Sequence, residues 1–151
     1  MQPAHAGALL YGRRLYDEMS AHWPKALLDP PADPTARAYG EVWNAKPKIV
    51  FSRTLDGVIA NCRLVRDDIV DELPRLQDEF DGELQVAGPT LASALITRNL
   101  VDEYRLVVHP AILGGGKPFF PPLPSPIRLR PTETRIFPSG VRYNAYQAVR
   151  D

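Results

Sequence analysis

The sequence predicts an α/β fold whose mixed sheet ends in an antiparallel hairpin. Two observations predict it. A strand–glycine–helix unit occurs twice, at residues 8–23 and 84–100. Residues 127–137 and 141–149 read as two antiparallel strands about a Pro138-Ser139-Gly140 turn, and in the second Val141, Tyr143, Ala145 and Gln147 alternate with Arg142, Asn144 and Tyr146.

Each element follows from local chemistry. Ala8-Leu9-Leu10-Tyr11 is a strand ended by Gly12-Arg13-Arg14. Leu15, Tyr16, Met19 and Trp23 recur at helical spacing, and Pro24 stops that helix. Pro30, Pro31, Pro34 and Pro47 mark an irregular loop, with a short helical turn around residues 37–43. Trp23 and Trp43 read either as core plugs or as aromatic walls, with the core preferred. Lys48-Ile49-Val50-Phe51 is a strand closed by Ser52-Arg53-Thr54, and Asp56-Gly57 is a turn. Residues 68–80 form an amphipathic helix with Ile69, Leu73, Leu76 and Phe80 on one face. Asp67 or Asp68 caps it, and Asp81-Gly82 stops it.

The second unit repeats the pattern. Leu84, Val86 and Ala87 form a strand broken by Gly88-Pro89-Thr90, and Leu91, Ala94, Leu95 and Leu100 mark a helix. Residues 104–109 are a further strand, placing His109 within it. Residues 118–126 are a proline-rich loop, and 127–137 and 141–149 are the two hairpin strands. Asp102 and Glu103 are expected to pair with Arg98 or Arg105.

Composition bounds the functional classes. A chain of 151 residues fits a single domain, residues 1–151, which buries roughly 70% of its extended surface. Lys plus Arg equals Asp plus Glu at 18 each, so no overall field favours nucleic acid or an anionic membrane. Residues 66–83 hold eight acids against Arg66 and Arg75, a pattern that suits a solvated helix face. Cys62 is the only cysteine, which excludes an internal disulfide and a cysteine-based metal cluster. No apolar run approaches the roughly 18 residues of a membrane span, and no signal-peptide order opens the chain. A cytoplasmic protein without a metal is the expectation.

Two places suit an anion. A strand feeding a helix through glycine leaves the helix's first N–H groups unpaired, and the helix dipole adds positive potential there. Gly88 permits close approach, Thr90 adds a hydroxyl, and Arg13 and Arg14 add guanidinium groups beside the first turn. At the end of the second strand, the hydroxyls of Ser52 and Thr54 flank Arg53. That trio can clasp a terminal phosphate ester. Each could instead be an ordinary polar turn.

The wording of these segments carries a resemblance. GPTLASALITRNLVDEYRLVVHPAILGGGKPFF, residues 88–120, closely resembles the reductase domain of the bifunctional riboflavin-biosynthesis deaminase–reductase. It also resembles the wider dihydrofolate-reductase-like group. GRRLYDEM, residues 12–19, resembles the G-R-x-x-Y/W-E motif of the same family. The resemblance implies a three-layer α/β sandwich of the dihydrofolate reductase type. It implies NADPH as cofactor and hydride transfer to a small heterocyclic or carbonyl substrate. Gly88, Pro89, Thr90 and Leu91 would then hold the pyrophosphate, and Gly12, Arg13 and Arg14 would contact the cofactor phosphates. Ser52, Arg53 and Thr54 would select the 2′-phosphate of NADPH. Relatives are commonly dimers, which implies a homodimer formed through the C-terminal strands, with Ile136, Phe137, Val141 and Tyr143 contributing. The alternative is a non-catalytic nucleotide-binding or dimerising protein of the same fold, or an inactive fragment.

One departure from the family pattern bears on catalysis. Relatives begin with a strand, a loop carrying S-x-D-G and a helix, roughly 30–40 residues at ordinary element lengths. This chain begins at what resembles their second strand. The catalytic residue is therefore unassigned, and His22, His109 and Asp102 are not nominated for it. The chain as written is expected to show little reductase activity, with an open slot in its sheet that the fold must close, fill or reorder.

Overall fold

Strands and helices alternate through most of the chain in a computed structural model that describes residues 6–150. The elements are β1 (Ala6–Gly12), α1 (Arg13–His22), α2 (Pro34–Ala45), β2 (Lys48–Phe51), β3 (Cys62–Val65) and α3 (Ile69–Glu79). They continue with β4 (Glu83–Ala87), α4 (Pro89–Thr97), β5 (Glu103–Val108), β6 (Leu129–Ile136) and β7 (Arg142–Ala148). The chain divides into two compact units between Ala94 and Leu95, within α4.

The first unit is built on a parallel sheet of order β3-β2-β1-β4. Parallel strands are covered on both faces, so their sequences run apolar without alternation. Ala8, Leu9, Leu10 and Tyr11 of β1 are all buried, as are all four residues of β2. Ala6, Leu9, Tyr11, Tyr16, Trp43 and Val50 form the core, which decides the two readings of Trp43. Trp23 is half-buried and packs on Tyr39, with ring centroids 4.7 Å apart. Because β1 is paired on both sides, no open slot lies inside this sheet; β3 and β4 are its edges.

Residues 34–45 are a three-turn helix rather than a loop with one turn. Proline density suggested the loop, yet Pro34 sits at the first helical positions, where its missing N–H costs nothing. Asp33 caps the start by accepting from the Ala36 N–H at 2.7 Å. The last carbonyls of α2 are also satisfied. Lys46 N–H donates to Val42, Lys48 Nζ donates to Trp43, and Asn61 Nδ2 lies within bonding distance of Asn44 and Ala45. In α3, Asp68 is the cap, accepting from the Val70 N–H at 2.9 Å. The helix continues through Pro74 because Ile69 and Leu76 bury its apolar face.

The second unit holds an antiparallel sheet of order β5-β7-β6. Gly140, at φ +80°, closes the hairpin, and its N–H donates to the Phe137 carbonyl at 2.8 Å. Tyr104 and Ala145 are buried, whereas β6 is exposed along its length except for half-buried Glu133. Pro131 and a register shift before Glu133 interrupt β6. His109 falls one residue beyond β5 and is exposed, not within the strand. Glu103 pairs with Arg105, and Asp102 pairs with Arg150 at 2.5 Å, a partner the sequence reading did not consider.

Candidate functional site

Register builds one rim on the first unit. Gly12 pairs with Phe51, Phe51 pairs with Val65, and Tyr11 pairs with Ala87. The carboxyl ends of all four parallel strands thus finish abreast. Gly12, Ser52, Arg66 and Gly88 stand at the ends of β1, β2, β3 and β4 respectively. The sheet order runs 3-2-1 and then reverses to 4, and open α/β sheets bind ligands outside the strand ends where the order reverses. That point lies between Gly12 and Gly88.

The two glycine turns sit against each other. A Cβ added to Gly12 would lie 3.6 Å from Leu91 Cβ, and one added to Gly88 would lie 3.5 Å from Leu15 Cδ2. Leu15 and Leu91 are each the third residue of their helix, so each turn meets the first turn of the other helix. Gly88 has φ +92°, a conformation that favours glycine. Helix α1 has no side-chain cap and no acid in its first turn, and α4 has no acid in its first turn either. Two helix N-termini therefore bring their positive dipole ends side by side. Thr90 is exposed, while Pro89 and Leu91 are half-buried.

The corner after β2 is joined to this rim. Arg13 Nη1 donates to Thr54 Oγ1 at 2.6 Å. Ser52 Oγ accepts from the N–H groups of Thr54 and Leu55 at 3.3 and 3.2 Å, and lies 3.5 Å from Thr54 Oγ1. The Arg53 Nε instead donates to the Arg66 carbonyl at 3.4 Å. Arg14 is exposed and forms no ion pair among the described residues, while Arg13 also lies 3.5 Å from Asp17. The structure thus brings Gly12, Arg13, Ser52, Thr54, Gly88 and Leu91 together on one sheet rim.

Arg66 was missed. The sequence placed it only at the head of an acidic run, and its position one residue past a short strand was the sole signal. It donates through Nη1 to the Arg53 carbonyl at 3.1 Å and through Nη2 to the Leu55 carbonyl at 2.9 Å.

The titrating groups with displaced pKa values lie beneath this rim or elsewhere. Burial pushes the Tyr11 phenol well above its ordinary range, against the opposing pull of the Trp43 N–H that donates to it at 3.0 Å. Burial likewise lowers Lys48 and raises Cys62. Among the described residues, no three His, Cys, Asp or Glu side chains converge as metal ligands. Among the same residues, no helix is long and apolar enough to cross a membrane.

Paired glycine turns, two acid-free helix starts and a hydroxyl–guanidinium corner share this rim. Together with the parallel sheet and the separate antiparallel sheet, they define an α/β protein of the dihydrofolate reductase type. Solved structures share the fold. A Shewanella sp. PV-4 protein assigned to riboflavin biosynthesis matches with TM-score 0.71 and 24% identity, over 95% of this chain and 75% of its own. A pyrimidine reductase-like protein of Corynebacterium diphtheriae matches at 0.60 and 12%, over 97% and 77%. Enterococcus faecalis dihydrofolate reductase, solved with NADP(H), matches at 0.60 and 16%, over 93% and 73%.

Sequence narrows the class. The family profile of the RibD C-terminal domain matches residues 2–143. The uncharacterized protein YyaP of Bacillus subtilis is 34% identical over 135 residues, 88% of this chain and 69% of that protein. The chain belongs to the RibD C-terminal domain family, a family of reductase type.

Proposed function

We propose that the chain binds NADPH along the rim of its parallel sheet and reduces a small heterocyclic or carbonyl compound. The observation that carries this reading is the Arg13–Thr54 bond, which ties the α1 glycine turn to the corner after β2. The first turn of α1, with Gly12, Arg13 and Arg14, takes one side of the pyrophosphate. The turn at Gly88 and Pro89 takes the other, where Thr90 and Leu91 supply the N–H groups that Pro89 lacks. Ser52, Arg53 and Thr54 meet the 2′-phosphate, with Arg13 completing the charge. When bound, NADPH supplies the hydride, and the protein supplies position and electrostatics. The NADP(H) complex of the Enterococcus faecalis enzyme supports the cofactor class.

The same reading includes a cytoplasmic homodimer formed through the second unit. Exposed Ile136 and Phe137, with half-buried Val141 and Tyr143, support that interface. Titration of NADPH and NADH tests the cofactor. NADPH is expected to bind more tightly, and Arg53→Ala should remove roughly 1.5–3 kcal/mol, about 10- to 100-fold in affinity. Equal affinities in the unmutated protein would overturn the assignment of the 2′-phosphate. NADPH oxidation with pteridine, pyrimidine and carbonyl acceptors then identifies the substrate class.

A further inference from the structure

We propose that Arg66 is the positioning residue that fixes the corner after β2 and, through it, the preference for NADPH over NADH. The inference rests on the reading of that corner as the 2′-phosphate site. Its starting point is the connection between β2 and β3, ten residues from Ser52 to Asn61 that form no regular element. Such a segment must be held by side chains if it is to present a fixed surface. The far end is held twice. The Ile59 N–H donates to Tyr16 Oη at 2.9 Å, and Asn61, at φ +60°, reaches the Lys46 carbonyl at 2.9 Å.

At the near end, the part facing the rim, Arg66 performs this work. Its two terminal nitrogens donate to carbonyls two residues apart, those of Arg53 and Leu55. The rigid planar fork of a guanidinium suits two acceptors at a fixed separation in a way that an ammonium does not. Arg53 returns a bond to the Arg66 carbonyl, so the ends of β2 and β3 are locked reciprocally. Between the two carbonyls stands Thr54, whose hydroxyl receives Arg13. Arg66 thus holds the backbone on either side of Thr54, and Arg13 takes the side chain. The N–H groups of Thr54 and Leu55 are meanwhile occupied by Ser52 Oγ, so both hydroxyls are placed before any ligand arrives. Arg66 shapes the phosphate corner through its neighbours.

Two measurements on Arg66→Ala and Arg66→Lys decide the matter. The first is amide hydrogen exchange at Thr54 and Leu55 without cofactor. Exchange is expected to accelerate about tenfold or more in Arg66→Ala as the local structure opens, with protection retained at Ile59 and at Cys62, whose N–H donates to the Ile59 carbonyl. The second is the ratio of NADH to NADPH dissociation constants. It should fall about tenfold, the worth of a charge-assisted contact, with NADH affinity nearly unchanged, and Arg66→Lys should restore it only in part. Unchanged exchange at Thr54 and Leu55 overturns the positioning role whatever the cofactors do. A role confined to general stability is shown, and the proposal refuted, if both cofactors weaken alike. If the unmutated protein shows no preference, the selectivity claim and the 2′-phosphate assignment fall together, and accelerated exchange would uphold only the positioning of the corner.

Discussion

The Lys48 ammonium lies 4.1 Å from the centroid of the Trp43 ring and donates to the Trp43 carbonyl at 2.7 Å. A second bond of 2.7 Å goes to the Lys46 carbonyl, and the side chain is 1% exposed. The buried cation is therefore a cap for α2, held over an aromatic face. Lys48→Met takes the ammonium from the buried Trp43 carbonyl, whereas the Lys46 carbonyl keeps Asn61, and should destabilise the fold by about 1–3 kcal/mol. The pH dependence has a definite sign. Burial lowers the folded-state pKa of Lys48, so between that value and the unfolded value of about 10.4 the unfolded chain binds more protons. This group's contribution to stability rises with pH across that window. The gap between the unmutated protein and Lys48→Met, measured by urea denaturation from pH 7 to 10, should widen as pH rises.

Gly7 tests the join between β1 and β4. A Cβ there would lie 2.2 Å from the Asp81 carbonyl oxygen, a backbone atom that cannot swing aside, beside the register shift between Ala6 and Ala8. Gly7→Ala should cost about 1–3 kcal/mol, the range of an overpacked core. Gly57→Ala, with no atom within 4 Å of the added methyl, should stay within about 0.5 kcal/mol. Thermal unfolding of both variants gives the comparison.

The two rim glycines should separate folding from binding. Gly88→Ala forces a side chain into φ +92° and should destabilise the protein by about 1–3 kcal/mol. Gly12 has φ −79°, and its added methyl meets Leu91 at an ordinary contact distance. Gly12→Ala is therefore expected to fold normally, within about 0.5 kcal/mol, yet to bind NADPH more weakly, since the proposed site brings the pyrophosphate against Gly12. Denaturation and cofactor titration on each variant check both halves.

The proposed dimer is tested at the hairpin. Ile136 is 65% exposed and Phe137 45% exposed, so an acid at either site should not disturb the fold of the isolated chain. Light scattering is expected to return about twice 16.8 kDa for the unmutated protein and the single-chain mass for Ile136→Asp. A monomeric unmutated protein would refute the assembly.

Much of this was legible in the chain because the signals were local. Glycine turns ending apolar runs located Gly12 and Gly88, and strict alternation located β7. The α2 helix was hidden because Pro30, Pro31 and Pro34 suggest a loop until Asp33 is read as a cap. The contact between the glycine turns and the Arg13–Thr54 bond depend on strand order and register, which no single segment encodes. Arg66 was invisible for the same reason. Its partners are backbone carbonyls 11 and 13 residues earlier in the chain, and carbonyls carry no sequence signature.

The outer margin of β6 is an unusual place to leave a strand nearly bare. Pro131 has no N–H to offer a newcomer, and the register shift beside it throws the remaining donors out of step. Glu133 paired with Arg135, and Arg130 paired with Gln147, add charge and bulk where a flat surface would invite stacking. Another chain therefore finds no continuous ladder to extend, and strand-by-strand growth into a fibre is blocked at its first step.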